Sequence, residues 1–142
     1  MITLLVHIQV HAERAQRFEE ILRDMVAQTK RREPACLAYE YYRGASAFSY
    51  YCRLVFASKI AFYDHQNSDY HEGYLADFAA CFASLKLEYL DPVGGGGSML
   101  GATEDSPLAP DADAALRQAE QKYPIAVQGW WESLRQMNER KP

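Results

Sequence analysis

The chain has 142 residues, of which 49% are hydrophobic and 24% are charged, and its formal net charge is -4. These values are typical of one compact globular domain with a smaller addition. No long stripe of Lys and Arg suggests a nucleic-acid partner, and no apolar run is long enough to span a membrane. The first residues lack the basic region and cleavage site of a secretory signal, so we expect a cytoplasmic protein.

The first two-thirds of the chain alternate between strand and helix patterns. Apolar and polar side chains alternate with period two in four segments, which predicts strands at residues 2–10, 36–43, 48–56 and 85–90. A helical spacing predicts one helix at residues 12–32, ended by Pro34. A second helical segment starts with Ser58 as its N-cap and breaks near Asn67 and Ser68.

The order β-α-β-β-α-β is the ferredoxin-like arrangement of the α+β class. Two right-handed crossovers place both helical segments on one face of the sheet and leave the other face uncovered. We expect that face to carry many apolar or Tyr side chains, and an exposed patch of that kind calls for a partner. The simplest partner is an identical sheet, so we predict a homodimer through the sheet face, which forms a dimeric α/β barrel.

Two motifs in residues 1–93 point to a known family. Residues 33–39 read Glu-Pro-Ala-Cys-Leu-Ala-Tyr, and the strand that follows ends at Arg43. Farther along, His65, Ser68 and His71 have the spacing His-x-x-Ser-x-x-His. These motifs resemble the antibiotic biosynthesis monooxygenase (ABM) family, which typically has Glu-Pro-Gly-Cys-Leu-x-Tyr at the first position and the same His-x-x-Ser-x-x-His pattern at the second. The resemblance implies the ferredoxin-like fold that the element order already predicts.

The resemblance also implies a chemistry. Family members include cofactor-independent oxygenases that act on phenols, quinols and anthrones, which are small electron-rich aromatic compounds. Such a compound, deprotonated in a dry pocket, can pass an electron to dioxygen, so the protein supplies a base, a donor for the anion and exclusion of water. The sequence has no Gly-rich dinucleotide loop and no His-Glu-x-x-His motif, so we expect no cofactor.

Several side chains are candidates for this chemistry. His65 shares a helix side with Phe62 and is the leading base or orienting group, although a half-buried structural histidine is the alternative. His7 is a polar group in the apolar first strand and faces either the pocket or the dimer partner. Arg43 could hold an oxyanion or simply pair with a carboxylate. The candidate catalytic residues are therefore His65, His7 and Arg43, and the candidate substrate-binding residues are Tyr39, Tyr51, Phe56, Phe62, His71 and Tyr74.

Two other functions remain open. Phe56 and Leu54 stand where the family has a Trp and often a Glu, which leaves a non-catalytic dimeric module that binds a small molecule or peptide. Haem-degrading members carry a ligand His at the position of Leu75, and Leu cannot ligate iron, which disfavours a haem function. His65, His71 or Tyr74 could ligate haem differently.

The rest of the chain is a separate part. Residues 94–110 predict a flexible linker that begins Gly-Gly-Gly-Gly-Ser and continues with Met99, which resembles a laboratory fusion spacer, a natural Gly-rich linker being the alternative. Residues 111–142 predict a helical tail, with helices at 111–122 and 125–140. This tail is too short to fold alone. We therefore expect it to dock on the first domain, or on its dimer mate, through Trp130 and Trp131.

Overall fold

The computed structural model describes residues 1–93 and 101–139, with side chains up to residue 136. The predicted Gly-rich spacer at residues 94–98 and Met99 lie outside the described residues. The elements in chain order are β1 (Ile2–Val10), α1 (Ala15–Arg32), β2 (Cys36–Arg43), β3 (Ser49–Phe56), α2 (Lys59–Gln66), α3 (Asp69–Ala79), β4 (Phe82–Tyr89), α4 (Ala114–Lys122) and α5 (Gly129–Glu139).

The four strands form one antiparallel sheet in the order β2-β3-β1-β4. Together with α1–α3 this is the ferredoxin-like βαββαβ fold of the α+β class, as predicted, followed by two C-terminal helices. In the central strand, Val6 lies opposite Cys52 of β3 and Leu87 of β4. Because side chains of paired residues point to the same face, this register places one side chain from each of three strands next to each other on the helix side.

In residues 1–93 the element boundaries follow the predicted signals to within one residue, with two larger shifts. Ser58 caps α2, and its hydroxyl accepts a hydrogen bond from the Ala61 amide at 3.1 Å. The predicted break after α2 is present, since α3 begins at Asp69. β4 begins three residues earlier than predicted, at Phe82, which pairs with Val10 across a register shift in β1. Residues 12–14 form a 3-10 turn, so α1 begins later than expected.

The core lies between the sheet and α1–α3. Alternate residues of β1 point to the helices and are buried, whereas their neighbours point to the open face. Phe18, Ile21 and Met25 of α1 are almost fully buried against this face, as expected for an amphipathic helix. The apolar half of β1 therefore fixes which side of the sheet faces the helices.

The open face of the sheet is more polar than predicted. His7 of β1 pairs with Glu88 of β4 at 2.7 Å, and Arg53 of β3 pairs with Glu40 of β2 at 3.0 Å. The expectation of a largely apolar and Tyr-rich face was wrong, because most apolar positions of the strands belong to the helix side. Tyr42 and Tyr51 are exposed aromatic groups on this face.

The C-terminal tail packs on the first domain mainly through α4. Ala119 of α4 is buried in the core cluster, and Leu116 packs against it. α4 begins at Ala114 and α5 at Gly129, three and four residues later than predicted. Asp113 caps α4, and its carboxylate accepts a hydrogen bond from the Leu116 amide at 2.8 Å. Of the two tryptophans expected to anchor the tail, Trp131 is buried but Trp130 is 65% exposed. The expectation that both tryptophans anchor the tail is therefore wrong for Trp130.

In the described part of the chain, no helix is long and apolar enough to cross a membrane.

Candidate active site

A cavity of about 410 Å³ lies between the sheet and the helices. Its walls are largely apolar, with side chains from β1, β4, α1 and α3 such as Val6, Ile8, Met25, Phe78, Leu85 and Leu87. Leu85 and Leu87 are also partly exposed to solvent, so the cavity opens along β4. The size is within the range of roughly 300–1,000 Å³ that small-molecule sites occupy. A few polar side chains interrupt this apolar lining, and they define the candidate site.

His65 of α2 is the most buried of these polar groups, with 1% of its surface exposed. Its Nδ1 atom lies 2.9 Å from Oε2 of Glu33, the residue that ends α1. The Tyr70 hydroxyl donates to the other oxygen of Glu33, and Thr29 lies 2.7 Å from that hydroxyl. The carboxylate is therefore held from two sides, and the imidazole ring is held by the carboxylate.

The charge of Glu33 determines how the ring is protonated. Burial raises the pKa of Glu33, but hydrogen bonds from His65 and Tyr70 lower it more, so the net pKa is below its ordinary value. At neutral pH the carboxylate is ionised and only accepts hydrogen bonds, so Nδ1 of His65 carries the proton. In a neutral ring Nε2 is then the basic nitrogen. The hydrogen bonds that His65 makes with Glu33 and Tyr70 both involve Nδ1, and His65 lines the cavity.

His71 of α3 is a second imidazole in the cavity wall, with its ring centre 5.1 Å from that of His65. Burial and the nearby His65 lower the pKa of His71 to about 4. His71 is therefore neutral at pH 7. Its Nδ1 atom is buried and has no hydrogen-bond partner among the described residues. A neutral ring with an unpaired nitrogen can donate to a ligand or accept from it, depending on the tautomer.

Two tyrosines of β2 place hydroxyl groups at the same cavity. The hydroxyls of Tyr39 and Tyr41 are 3.2 Å apart, and the Tyr39 ring packs edge-on against His65 at 5.2 Å. Burial raises the pKa of both tyrosines well above the usual value. Both hydroxyls therefore stay protonated and can donate hydrogen bonds to an anion in the cavity.

Three predicted site residues lie elsewhere. His7 and Tyr51 face the open side of the sheet, where their rings contact each other at 5.3 Å. Arg43 is at the exposed end of β2 and binds Glu19 of α1 through two hydrogen bonds of 2.7 and 2.8 Å. None of the three lines the cavity with His65. The prediction that these residues share a site with His65 is therefore wrong. Side chains alternate along a strand, and those of His7 and Tyr51 point away from the helices.

The remaining predicted residues divide between the cavity and its surroundings. Phe62 lines the cavity together with Tyr39 and His71. Phe56 is fully buried and packs against His65 at 5.2 Å, so it supports the imidazole without lining the cavity. Tyr74 turns away, and its hydroxyl donates to Asp24 at 3.0 Å. The prediction that Tyr74 binds the substrate is therefore wrong, because its side chain links α3 to α1.

Comparison with known proteins places this site in a family. The sequence model described as "Antibiotic biosynthesis monooxygenase" (ABM) matches residues 1–77, which is more than half of the chain. The chain belongs to the ABM family. A comparison with curated proteins gave no match.

Several solved structures are similar to this chain. A structure from Caulobacter crescentus, named for antibiotic biosynthesis monooxygenase, is 30% identical with a TM-score of 0.62, and the match covers 65% of this chain and 89% of that one. A Pseudomonas aeruginosa protein is 24% identical with a TM-score of 0.59, over 65% and 93% of the two chains. A structure from Bacteroides thetaiotaomicron, also named for this activity, is 18% identical with a TM-score of 0.63, over 70% and 95%. The last two show the fold alone.

A haem group does not fit this ABM site well. Leu75, which takes the position of the ligand His in haem-degrading members, lines the cavity and has no donor atom. Tyr74, which could also ligate iron, turns away from the cavity, and its hydroxyl donates to Asp24. Within residues 1–93 and 101–139, no group of three or more His, Cys, Asp or Glu side chains is arranged to hold a metal ion. We therefore derive no step through haem or metal.

The sequence interpretation missed two parts of the site. Glu33 was part of the family motif but was not a candidate site residue, although a carboxylate after Lys30, Arg31 and Arg32 opposes the helix dipole and so signals another role. Tyr41 was left out of the candidate set, although it has the same strand parity as Tyr39. Both residues could have been found from these signals.

Proposed function

We propose that this ABM protein is a cofactor-independent monooxygenase that oxidises an electron-rich phenol, quinol or anthrone with dioxygen. The observation that carries the proposal is the His65–Glu33 pair, which presents a buried imidazole to an apolar cavity of about 410 Å³. Membership of the ABM family supports the same chemistry. An oriented base in an apolar cavity is what the deprotonation of a weakly acidic aromatic compound requires.

The proposed reaction begins with proton transfer. Nε2 of His65 takes a proton from the substrate, and Glu33 stabilises the imidazolium that forms. Tyr39 and Tyr41 donate hydrogen bonds to the substrate oxyanion. The apolar walls exclude water, which strengthens these interactions and protects the reactive anion.

Dioxygen then acts as the oxidant. The substrate anion passes one electron to dioxygen, and the resulting radical and superoxide combine to form a carbon–peroxide bond. Cleavage of the O–O bond, with loss of the remaining hydrogen on that carbon, gives the carbonyl product. For an anthrone, one dioxygen converts the CH₂ group to C=O, and the second oxygen leaves as one water. The imidazolium returns its proton during this step.

Oxygen uptake tests the proposal. Protein freed of metal by a chelator is mixed with a panel of quinols and anthrones, and we expect one dioxygen consumed for each product formed. The His65→Ala variant should lower kcat by roughly 10²- to 10⁴-fold, the usual contribution of a general base. His11→Ala is a matched control, because His11 is exposed and remote from the cavity lining.

Three outcomes would contradict the proposal. Full activity in His65→Ala would remove the assigned base. A strict requirement for added haem or flavin would remove the cofactor-independent chemistry. Binding of these aromatic compounds without oxygen uptake would instead support a non-catalytic binding module. That role would agree with the presence of Phe56 and Leu54 in place of the family's Trp and Glu.

A further inference from the structure

We propose that the C-terminal segment forms one wall of the cavity and that Tyr123 is a substrate-binding residue, which selects fused-ring aromatics bearing a second polar substituent. Tyr123 and Pro124 both line the cavity. They lie well beyond residue 77, where the family match ends. The inference rests on the proposed function, since it names the substrate class of the same site.

The segment is attached to the first domain by specific contacts. Lys59 of α2 is buried, and its ammonium donates to the Ser106 carbonyl and lies 3.2 Å from Glu120 of α4. The Asn67 side chain donates to the carbonyl of Ala115 at 3.3 Å. These contacts hold α4 against α2, and α2 also carries His65. The segment is therefore part of the site, although the linker before it is long.

Tyr123 is placed by the end of α4. Its amide donates to the Ala119 carbonyl at 2.7 Å, and this bond closes the last turn of the helix. Its ring meets Phe62 edge-on, with centres 6.4 Å apart, and Phe62 meets Tyr89 in the same way at 6.4 Å. All three aromatic side chains line the cavity. They form an aromatic end that suits a flat ring system.

Two polar atoms in this wall lack partners. The Tyr123 hydroxyl and His71 Nδ1 are buried, and neither makes a hydrogen bond of normal geometry with another described residue, although the Lys122 ammonium lies 5.0 Å from the centre of the Tyr123 ring. Leaving a buried polar group unsatisfied is unfavourable, so a ligand hydroxyl or carbonyl that pairs with it would be favoured. We therefore assign a second polar substituent to the substrate, in addition to the acidic group that His65 deprotonates.

The test measures binding of two probes to the full chain. 1,8-Dihydroxyanthraquinone carries the polar substituents, and anthracene has three fused rings without a polar group. The first is already oxidised at its central ring and the second has no acidic proton, so their binding does not require catalysis. Dissociation constants are measured by quenching of tryptophan fluorescence for the parent, Tyr123→Phe and Tyr123→Ala. Tyr42→Phe is the matched control, because Tyr42 is exposed on the open face of the sheet.

We expect Tyr123→Phe to weaken binding of the dihydroxy probe about five-fold, equivalent to one lost hydrogen bond, and to leave the other probe unchanged. Tyr123→Ala should weaken both, because it also opens the wall. Equal affinities in the parent and both variants would overturn the inference, and so would failure of the parent to bind the dihydroxy probe. Tyr123-dependent binding without oxygen uptake on any anthrone would refute the oxygenase proposal and leave this inference standing.

Discussion

Nδ1 of His65 lies 2.9 Å from Oε2 of Glu33, which joins α2 to the end of α1 across 32 residues of sequence. The contact orients the imidazole and selects the tautomer in which Nε2 is basic. Glu33 is in turn held by the Tyr70 hydroxyl. The pair therefore has the form of a base with a positioning carboxylate, and the two roles can be separated by mutation.

Glu33→Gln should lower kcat and leave KM nearly unchanged. The amide can donate to Nδ1, which would shift the ring proton to Nε2 and remove the basic nitrogen from the cavity. We expect a decrease in kcat of roughly 10²-fold, at the lower end of the contribution of general base catalysis. Steady-state oxygen uptake at varied substrate concentration separates the two constants.

Tyr70→Phe is the matched control for this prediction. It removes the other hydrogen bond to Glu33 but keeps the His65–Glu33 contact. A purely structural role of Glu33 would make the two variants alike, with equal losses of stability and equal kcat. A positioning role predicts a much larger loss of kcat in Glu33→Gln.

Local patterns in the sequence were sufficient for the fold and for part of the site. The period-two alternation of β1 and the Ser58 cap depend on neighbouring residues, so both could be predicted. His65 and His71 were found because their spacing lies within one motif. Because side chains alternate along a strand, His7 points to the opposite face of the sheet from Val6 and Ile8. The alternation alone does not tell which face meets the helices.

Contacts between distant segments could not be predicted in the same way. The pairing of Glu33 with His65 depends on how α1 and α2 pack together, which no local pattern encodes. Tyr123 reaches the cavity only because α4 docks on α2, and Lys59 gives no sequence signal for this docking. Hydrophobicity predicted that both tryptophans anchor the tail, yet Trp130 is exposed.

The buried His71 should make the protein less stable in acid. Its pKa is about 4 in the folded state, below the usual 6.5, so the unfolded chain takes up this proton first as the pH falls. This contribution to the free energy of unfolding is therefore lost progressively from pH 6.5 down to about 4. The expected loss between pH 7 and pH 4 is about 3 kcal/mol.

Urea unfolding of the parent and His71→Gln at these two pH values checks this prediction. The variant lacks the titrating ring. Between pH 7 and pH 4 its free energy of unfolding should therefore decrease by about 3 kcal/mol less than that of the parent. The lowered pKa of Glu33 adds an acid-dependent loss to both proteins and largely cancels in the comparison. His11→Gln serves as the control for replacing an exposed histidine. Equal pH dependence in the parent and His71→Gln would contradict the prediction.

Lys59 should be the main polar anchor of the tail. In Lys59→Met the Ser106 carbonyl and the Glu120 carboxylate lose their buried partner. We expect the free energy of unfolding to fall by about 2 kcal/mol, the usual scale for a hydrogen bond to a charged group. Far-ultraviolet circular dichroism in urea measures the change, and Lys30→Met, at an exposed position of α1, is the control. A loss equal to that of the control would show that Lys59 is not the main polar anchor of the tail.

The open face of the sheet remains our proposed site of homodimerisation. Its charged groups are already paired within one chain, as in Arg53–Glu40 and Lys86–Glu88, so burying them does not strand an unpaired charge. Tyr51 is exposed between these pairs and offers a large apolar ring to a partner. Light scattering on the full chain should therefore give twice the 16.2 kDa mass of one chain at micromolar concentration.

Tyr51→Glu should shift this equilibrium to the monomer. It replaces the ring with a carboxylate on the proposed interface, and an unpaired buried charge is strongly unfavourable there. Ile60→Glu is the matched control, because Ile60 is an exposed apolar residue on α2, away from the open face. We expect this control to remain dimeric. A monomeric parent would refute the dimer itself, whereas a dimer that persists in Tyr51→Glu and dissociates in Ile60→Glu would move the interface to the helix side.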